Sequence, residues 1–230
     1  MQASLFGSEE PFFDAEFRGA RREALTRDAW IEHVPGWLGG HQRLFEQLLG
    51  AVDWHHLRRQ MYDREVDVPR LVARAPESGE VGELLRSIAQ LLSARYQVAL
   101  ESISLAYYRN GQDSVAPHGD KMGLLRANTV IAILSVGEPR RFTLRSTDGG
   151  IRRLFSLGWG DLLVMGGSCQ ETFLHGVPKV KHANPRMSIQ FRELLPPAVA
   201  KTYPDDIVTS VRVRPEPVGR SVPGTLRSRA

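Results

Sequence analysis

Two histidines and a carboxylate are the side chains here whose types and spacing could grip a metal ion. In "DSVAPHGDKMG" (113–123) His118 and Asp120 stand two apart, and "FLHGVPK" brings His175 57 residues further on. A strand turns residues i and i+2 to one side, so His118 and Asp120 can face one point while His175 arrives from a distant strand. Two imidazoles and one carboxylate on one face of a metal leave three positions open, which suits a non-haem Fe(II) centre that takes a co-substrate and O2. With 7 His in the chain, one His-x-Asp pair carries little information alone. Weight has to come from downstream.

That weight lies in "RMSIQFREL" (186–194), where Met187, Ile189 and Phe191 alternate with Arg186, Ser188, Gln190 and Arg192. On a strand the second set shares one face. If the apolar set faces outer packing, both arginines point into the interior that holds the metal. Their Cα atoms would be about 20 Å apart at about 3.3 Å per residue, and two long side chains leaning inward close most of that gap. The remaining space suits a short dicarboxylate held at each end by a forked donor. A buried arginine without a partner is unfavourable, so an anionic ligand is the physical expectation.

The elements that would position these residues follow from periodicity. In "GGHQRLFEQLLGAVDW", Leu44, Phe45, Leu48, Leu49 and Val52 form a helical face. A second helix starts after Ser78, with Val81, Leu84, Leu85, Ile88, Leu91 and Leu92 as its stripe. Between them, "RRQMYDREVDVPRLVARAP" (58–76) reads as extended or loop structure. Then "SISLAYYRN", "TVIAILSVG", "RRFTLRS", "IRRLFSLG", "DLLVMGG" and "RMSIQFREL" are six short strands separated by turn residues. Helices first and strands after predict an α+β chain with an all-β core of sandwich or barrel type. Residues 1–28 read as a loosely held arm, and the Pro/Arg-rich 196–230 as a partly disordered tail.

Composition sets the outer bounds. The 230 residues contain 42% hydrophobic and 24% charged side chains, with one cysteine and a net charge of +4. A single cysteine excludes internal disulfides and Cys-based zinc clusters; Cys169 reads as a small packed residue. No apolar run is long enough for a membrane span, and the acidic N-terminus lacks a secretory h-region. A cytoplasmic monomer is the expectation. The mild basic excess keeps nucleic acid among the partners without arguing for it.

Taken jointly, His-x-Asp, the distal His and the arginines six apart resemble the Fe(II)- and 2-oxoglutarate-dependent dioxygenases, and within them the AlkB family. The blocks "YYRNGQDSVAPHGD", "ILSVGEPRRFTLR", "GDLLVMGGSCQETFLHGVPK" and "PRMSIQFR" carry the likeness, with "HVPGWL" and "MYDREVDVPR" before them. The resemblance implies a double-stranded β-helix (jelly-roll) core under N-terminal helices, a catalytic domain over 29–195 and a nucleotide-recognition lid over 54–76. It implies His118, Asp120 and His175 as catalytic iron ligands, and Tyr108, Arg186, Ser188 and Arg192 around 2-oxoglutarate. Trp54 and Tyr62 are the aromatics expected to stack on a flipped base; Arg58, Arg59, Arg64 and Arg70 are expected to meet phosphates. Three positions depart from the family: Ala106 stands where an asparagine is usual, Pro117 where a bulky apolar residue is frequent, and Met122 where an acidic residue reads the base.

The implied reaction is oxidative dealkylation of N-alkylated bases in DNA, or in RNA, with Fe(II), O2 and 2-oxoglutarate. The alternatives are the same chemistry on a protein or small molecule, and a non-catalytic nucleic-acid-binding relative, against which the intact motif residues argue.

Overall fold

The alternation in "RMSIQFR" decides the orientation of the whole core. Met187, Ile189 and Phe191 are fully buried against the helices, while Arg186, Ser188, Gln190 and Arg192 face the opposite side. Burying each large apolar side chain is worth about 1.5–3 kcal/mol. A slip of one residue would exchange all seven side chains between faces, so this register is strongly held.

A computed structural model describes residues 9–61, 64–120, 128–194 and 207–215. In chain order it contains β1 (Phe12–Phe13), β2 (Arg21–Ala24), β3 (Ala29–Val34), β4 (Leu38–Gly39), α1 (His41–Ala51), β5 (Trp54–Met61) and β6 (Arg64–Arg74). Next come α2 (Gly79–Tyr96), β7 (Ser102–Tyr108), β8 (Val115–His118), β9 (Ile131–Gly137), β10 (Arg140–Ser146) and β11 (Arg152–Leu157). The chain continues through β12 (Asp161–Gly167), α3 (Cys169–Thr172), β13 (Phe173–Val177), β14 (Arg186–Arg192) and β15 (Ile207–Val213).

A large sheet runs in the order β15-β5-β6-β7-β14-β9-β12-β3-β2 and a small one in the order β11-β10-β13-β8. From β7 to β14 the chain shuttles between the two: β7, β9, β12 and β14 lie in the large sheet, β8, β10, β11 and β13 in the small one. This is the double-stranded β-helix. Its inner layer includes Tyr108, Ile131, Phe142, Leu144, Met165 and Phe173. The other face of the large sheet is covered by α1 and α2 through Leu44, Phe45, Leu48, Leu85, Ile88 and Leu92. Ser78 occupies the N-cap of α2 as expected, but its side chain makes no capping hydrogen bond. No described helix is long and apolar enough to cross a membrane.

The expected loose N-terminal arm needs correction, and the C-terminal segment contributes a strand. From Glu9 onward the N-terminal arm is built into the fold: β2 pairs with β3, β1 with β4, and Phe17 is buried against Trp37. At the other end, β15 pairs with β5, and Val213 packs on the helix-side core. The remainder of 196–230 lies outside the described residues, apart from Arg214 and Pro215. Strand β3 escaped the periodicity reading because Glu32 interrupts an apolar run. The fold buries that carboxylate by giving it Arg95 Nε and Nη2 and the Tyr96 hydroxyl as donors.

Candidate active site

Strands β8 and β13 are neighbours in the small sheet, and their register sets His118 directly opposite His175. The two rings lie 4.4 Å apart between centroids. His118 Nδ1 sits 2.9 Å from the Ala116 carbonyl oxygen; donating there fixes the tautomer and leaves Nε2 as the ring's lone-pair nitrogen. His175 is buried under Phe142, whose ring stacks on it at 5.7 Å. Burial pushes the His175 imidazole down to about 4, so the neutral, ligand-competent form prevails near neutrality.

After His118 the strand ends, and Gly119 lets the backbone pass close against α3. A Cβ there would stand 2.4 Å from the Gln170 carbonyl oxygen of α3. The Gln170 side chain then accepts the Asp120 amide at 3.1 Å, which aims the carboxylate back at the histidines. Asp120 Oδ2 lies 3.9 Å from His175 Nε2. Burial pushes the Asp120 carboxyl up, but the Arg192 guanidinium, then His175 and His118, outweigh it and hold the carboxyl below its usual range.

On the facing wall, β14 supplies the cations. Arg186 is 1% exposed. Its Nη2 donates to Ser135 Oγ at 2.7 Å, yet Nε and Nη1 have no hydrogen-bond partner among the described residues. Burial pushes this guanidinium down to about 10, with Tyr108 alongside partly opposing the shift. Arg140 is the instructive contrast: it is equally buried, but its two Nη atoms donate to the carbonyls of Asn110, Asp113 and Pro178. Arg140 is a staple between loops, whereas Arg186 presents unused donors to a pocket. At the other end of β14, Arg192 donates to Ser104 Oγ at 2.8 Å and to Asp120 at 3.3–3.4 Å. Ser104 Oγ donates to Gln190 Oε1, and Gln190 Nε2 donates to Ser188 Oγ. Of these, Ser188, Gln190 and Arg192 join His118, His175 and Arg186 around one pocket.

The sequence-predicted residues thus divide. His118, Asp120, His175, Tyr108, Arg186, Ser188 and Arg192 come together. Trp54 does not: it is fully buried in the helix-side core, donates Nε1 to the Leu49 carbonyl and packs on Tyr107. An aromatic so placed cannot stack on a base. Tyr62 and Met122 lie outside the described residues; of Arg64 only the backbone, at the start of β6, is described. The proposed lid is a hairpin of β5 and β6. Arg58 on it is paired with Asp67 at 2.8 Å, and Arg70 lines the pocket while reaching the Ser114 carbonyl. Sequence reasoning missed the support given by Ser135, Ser104 and Gln170. Only cross-strand register reveals the first two: Ser135 lies opposite Ser188 and Ser104 opposite Gln190.

Two imidazoles and a carboxylate are the donor types a non-haem iron takes, and the orphaned donors of Arg186 fit a carboxylate beside it. No three His, Cys, Asp or Glu side chains among the described residues close around a single point as they stand. The Asp120 carboxylate is instead neutralised by Arg192. Both sets fit the groups in chemistry.

Residues 15–193 match the family model described as the 2OG-Fe(II) oxygenase superfamily. The chain is 31% identical over 178 residues to the alpha-ketoglutarate-dependent dioxygenase alkB homolog 3 of Bos taurus, covering 66% of this chain and 61% of that protein. It is 28% identical over 123 residues to an uncharacterized protein of Acanthamoeba polyphaga mimivirus, covering 53% and 62%. The chain therefore spans about three fifths of the length of these curated relatives. Among solved structures, a prolyl hydroxylase from Trichoplax adhaerens, in complex with a hypoxia inducible factor peptide, superposes with a TM-score of 0.51 at 12% identity, over 71% of this chain and 83% of that one. That likeness concerns the fold alone.

Proposed function

The chain belongs to the 2OG-Fe(II) oxygenase superfamily as an AlkB-type member, and we propose that it oxidatively dealkylates N-alkylated bases in DNA, with RNA as the nearest alternative polymer. The observation that carries this reading is Arg186: a buried guanidinium with two donor nitrogens idle among the described residues, sharing a pocket with His118, His175 and a second arginine six residues on, which in turn holds Asp120. His118, Asp120 and His175 would hold Fe(II). Arg186 would hold the far carboxylate of 2-oxoglutarate, with Tyr108 and Ser188 beside it, and Arg192 would serve the near end. When bound, these groups supply the oxidation: O2 is split between succinate, formed with CO2 from 2-oxoglutarate, and a hydroxyl inserted into an N-alkyl C–H bond.

The remaining steps belong to the protein and to the product. The His175 imidazole, kept neutral by burial, remains available as a ligand without first losing a proton. Arg192, oriented by Ser104, offsets the charge that Asp120 and a dicarboxylate bring together. The hydroxylated N-alkyl group is a hemiaminal, which breaks its C–N bond to release an aldehyde and the unmodified base. Base recognition is assigned to the β5–β6 hairpin and the segment after Asp120, where Tyr62, Arg64 and Met122 stand in sequence.

The test is 2-oxoglutarate turnover with Fe(II) on N-methylated single- and double-stranded DNA, on methylated RNA and with no substrate, scored as formaldehyde released. Formaldehyde from DNA above the other arms supports the reading. Turnover coupled only to a protein or small molecule would replace the substrate class, and no 2-oxoglutarate consumption in any arm would overturn the reading.

A further inference from the structure

Four polar side chains on β7 and β14 form one continuous hydrogen-bond chain, and its direction is fixed at one end. Arg192 Nη1 donates to Ser104 Oγ at 2.8 Å, Ser104 Oγ donates to Gln190 Oε1 at 3.1 Å, and Gln190 Nε2 donates to Ser188 Oγ at 3.1 Å. A guanidinium stays charged and only donates, so Ser104 accepts from it and passes its own proton on. The Gln190 carbonyl takes that proton, which leaves the amide nitrogen facing Ser188. With the amide reversed, Ser104 would face two donors and its hydroxyl proton would lose its acceptor. Every bond therefore runs from Arg192 toward Ser188.

The consequence falls on Ser188, which is buried and lines the pocket. Because Gln190 donates to its oxygen, the Ser188 proton points elsewhere, and it finds no acceptor among the described residues. Its cross-strand neighbours do not take it: Ala106 on β7 offers a methyl group, and the Ser135 oxygen on β9 is engaged by Arg186 Nη2. The hydroxyl thus joins Nε and Nη1 of Arg186 as an unspent donor in the same pocket. A serine hydroxyl left to itself rotates and can donate or accept. Here the chain removes that choice. Gln190 is only half-buried, and the packing of β14 is done by Met187, Ile189 and Phe191 on its other face.

Resting on the 2-oxoglutarate site proposed above and deepening it, we propose that Gln190, held by Ser104 and Arg192, is a positioning residue that presents the Ser188 hydroxyl as a donor to the far carboxylate of 2-oxoglutarate. An ionised carboxylate only accepts, so it matches a wall whose free groups only donate. A rotor that is already set loses less freedom when the ligand arrives, and that difference appears as affinity. Gln190 acts here through Ser188 rather than by its own contact with the ligand.

The experiment is a double-mutant cycle read as binding rather than turnover. 2-Oxoglutarate is titrated calorimetrically, under nitrogen and with Mn(II), into the full native chain, S188A, Q190M and S188A/Q190M. S188A should weaken binding about tenfold, the size of one hydrogen bond to a charged group. Q190M should weaken it about three- to tenfold, yet the double variant should bind within about twofold of S188A, because both changes remove one coupled contact. If Q190M does not fold, S104A takes its place in the cycle: it removes the donor that sets the Gln190 amide, while Arg192 keeps Asp120. Losses that multiply in the double variant, or native affinity in Q190M, overturn the proposal. A native chain that binds no 2-oxoglutarate overturns it together with the site it rests on. Failure of the nucleic-acid reading looks different: no methylated polymer would release formaldehyde, while the binding cycle would stay intact.

Discussion

Arg186 carries its charge in the interior with neutral hydroxyls, Ser135 and Tyr108, beside it and no carboxylate paired to it among the described residues, and that state has a stability signature. Replacing a buried, unneutralised cation with an apolar side chain of similar length relieves desolvation, while leaving Ser135 unpaired costs about 1 kcal/mol. Arg186→Met should therefore melt at or above the native temperature. The native protein should gain about 2.7 kcal/mol in 2-oxoglutarate at a hundredfold its Kd, and the variant should gain nothing. Calorimetric melts with and without 2-oxoglutarate decide this; a variant that unfolds outright makes Arg186 a structural residue. Trp54 gives the opposite pairing. Trp54→Ala should cost about 3–5 kcal/mol, as other buried tryptophans do, and leave the affinity of the remaining folded protein for oligonucleotide unchanged.

At the scale of elements, α3 is only four residues long, yet it packs against the backbone between His118 and Asp120. Its Gln170 carbonyl closes the space above Gly119, and its Gln170 side chain takes the Asp120 amide. Adding a methyl group at Gly119 must displace backbone rather than a flexible side chain. Gly119→Ala is expected to cost about 1–3 kcal/mol through overpacking and to lower bound iron far more than it lowers the melting temperature. Iron stoichiometry on the folded variant is the measurement, and a full complement of iron would show that the backbone there tolerates the shift. Six predicted strands and two predicted helices are present because each is either an apolar run or a regular apolar period that the core buries. Strands β8 and β13 were hidden because His118, Pro117 and Gly176 break the apolar alternation.

For the molecule as a whole, stability should form a plateau in pH. His33 and His41 are held below their ordinary 6.5, first by burial. The unfolded chain therefore takes up their protons first, and stability falls as pH drops below about 6.5. At the alkaline side, burial pushes the Cys169 thiol up from 9.0 to about 12 and raises Tyr96 and Tyr107 above 10.0. These groups ionise first in the unfolded chain, so their contribution is complete below pH 9 and is lost progressively as pH rises toward 12. Denaturant unfolding from pH 5 to 11 should show both limbs, and Cys169→Ala should flatten the alkaline one. An alkaline limb unaltered by Cys169→Ala would remove the thiol as its cause.

Sequence alone singled out the residues proposed for the site: His118, Asp120 and His175 by donor type, Arg186 and Arg192 by alternation on one strand. Local periodicity is written in neighbouring side chains, so the helices and the core strands followed from it. Partnership is not local. That His118 meets His175, that Ser135 rather than a carboxylate meets Arg186, that Trp54 lies in the core and that β15 joins β5 all depend on which strands pair, and in what register. Pairing is chosen by the burial of two faces across the whole chain at once, and only the tertiary structure records that choice.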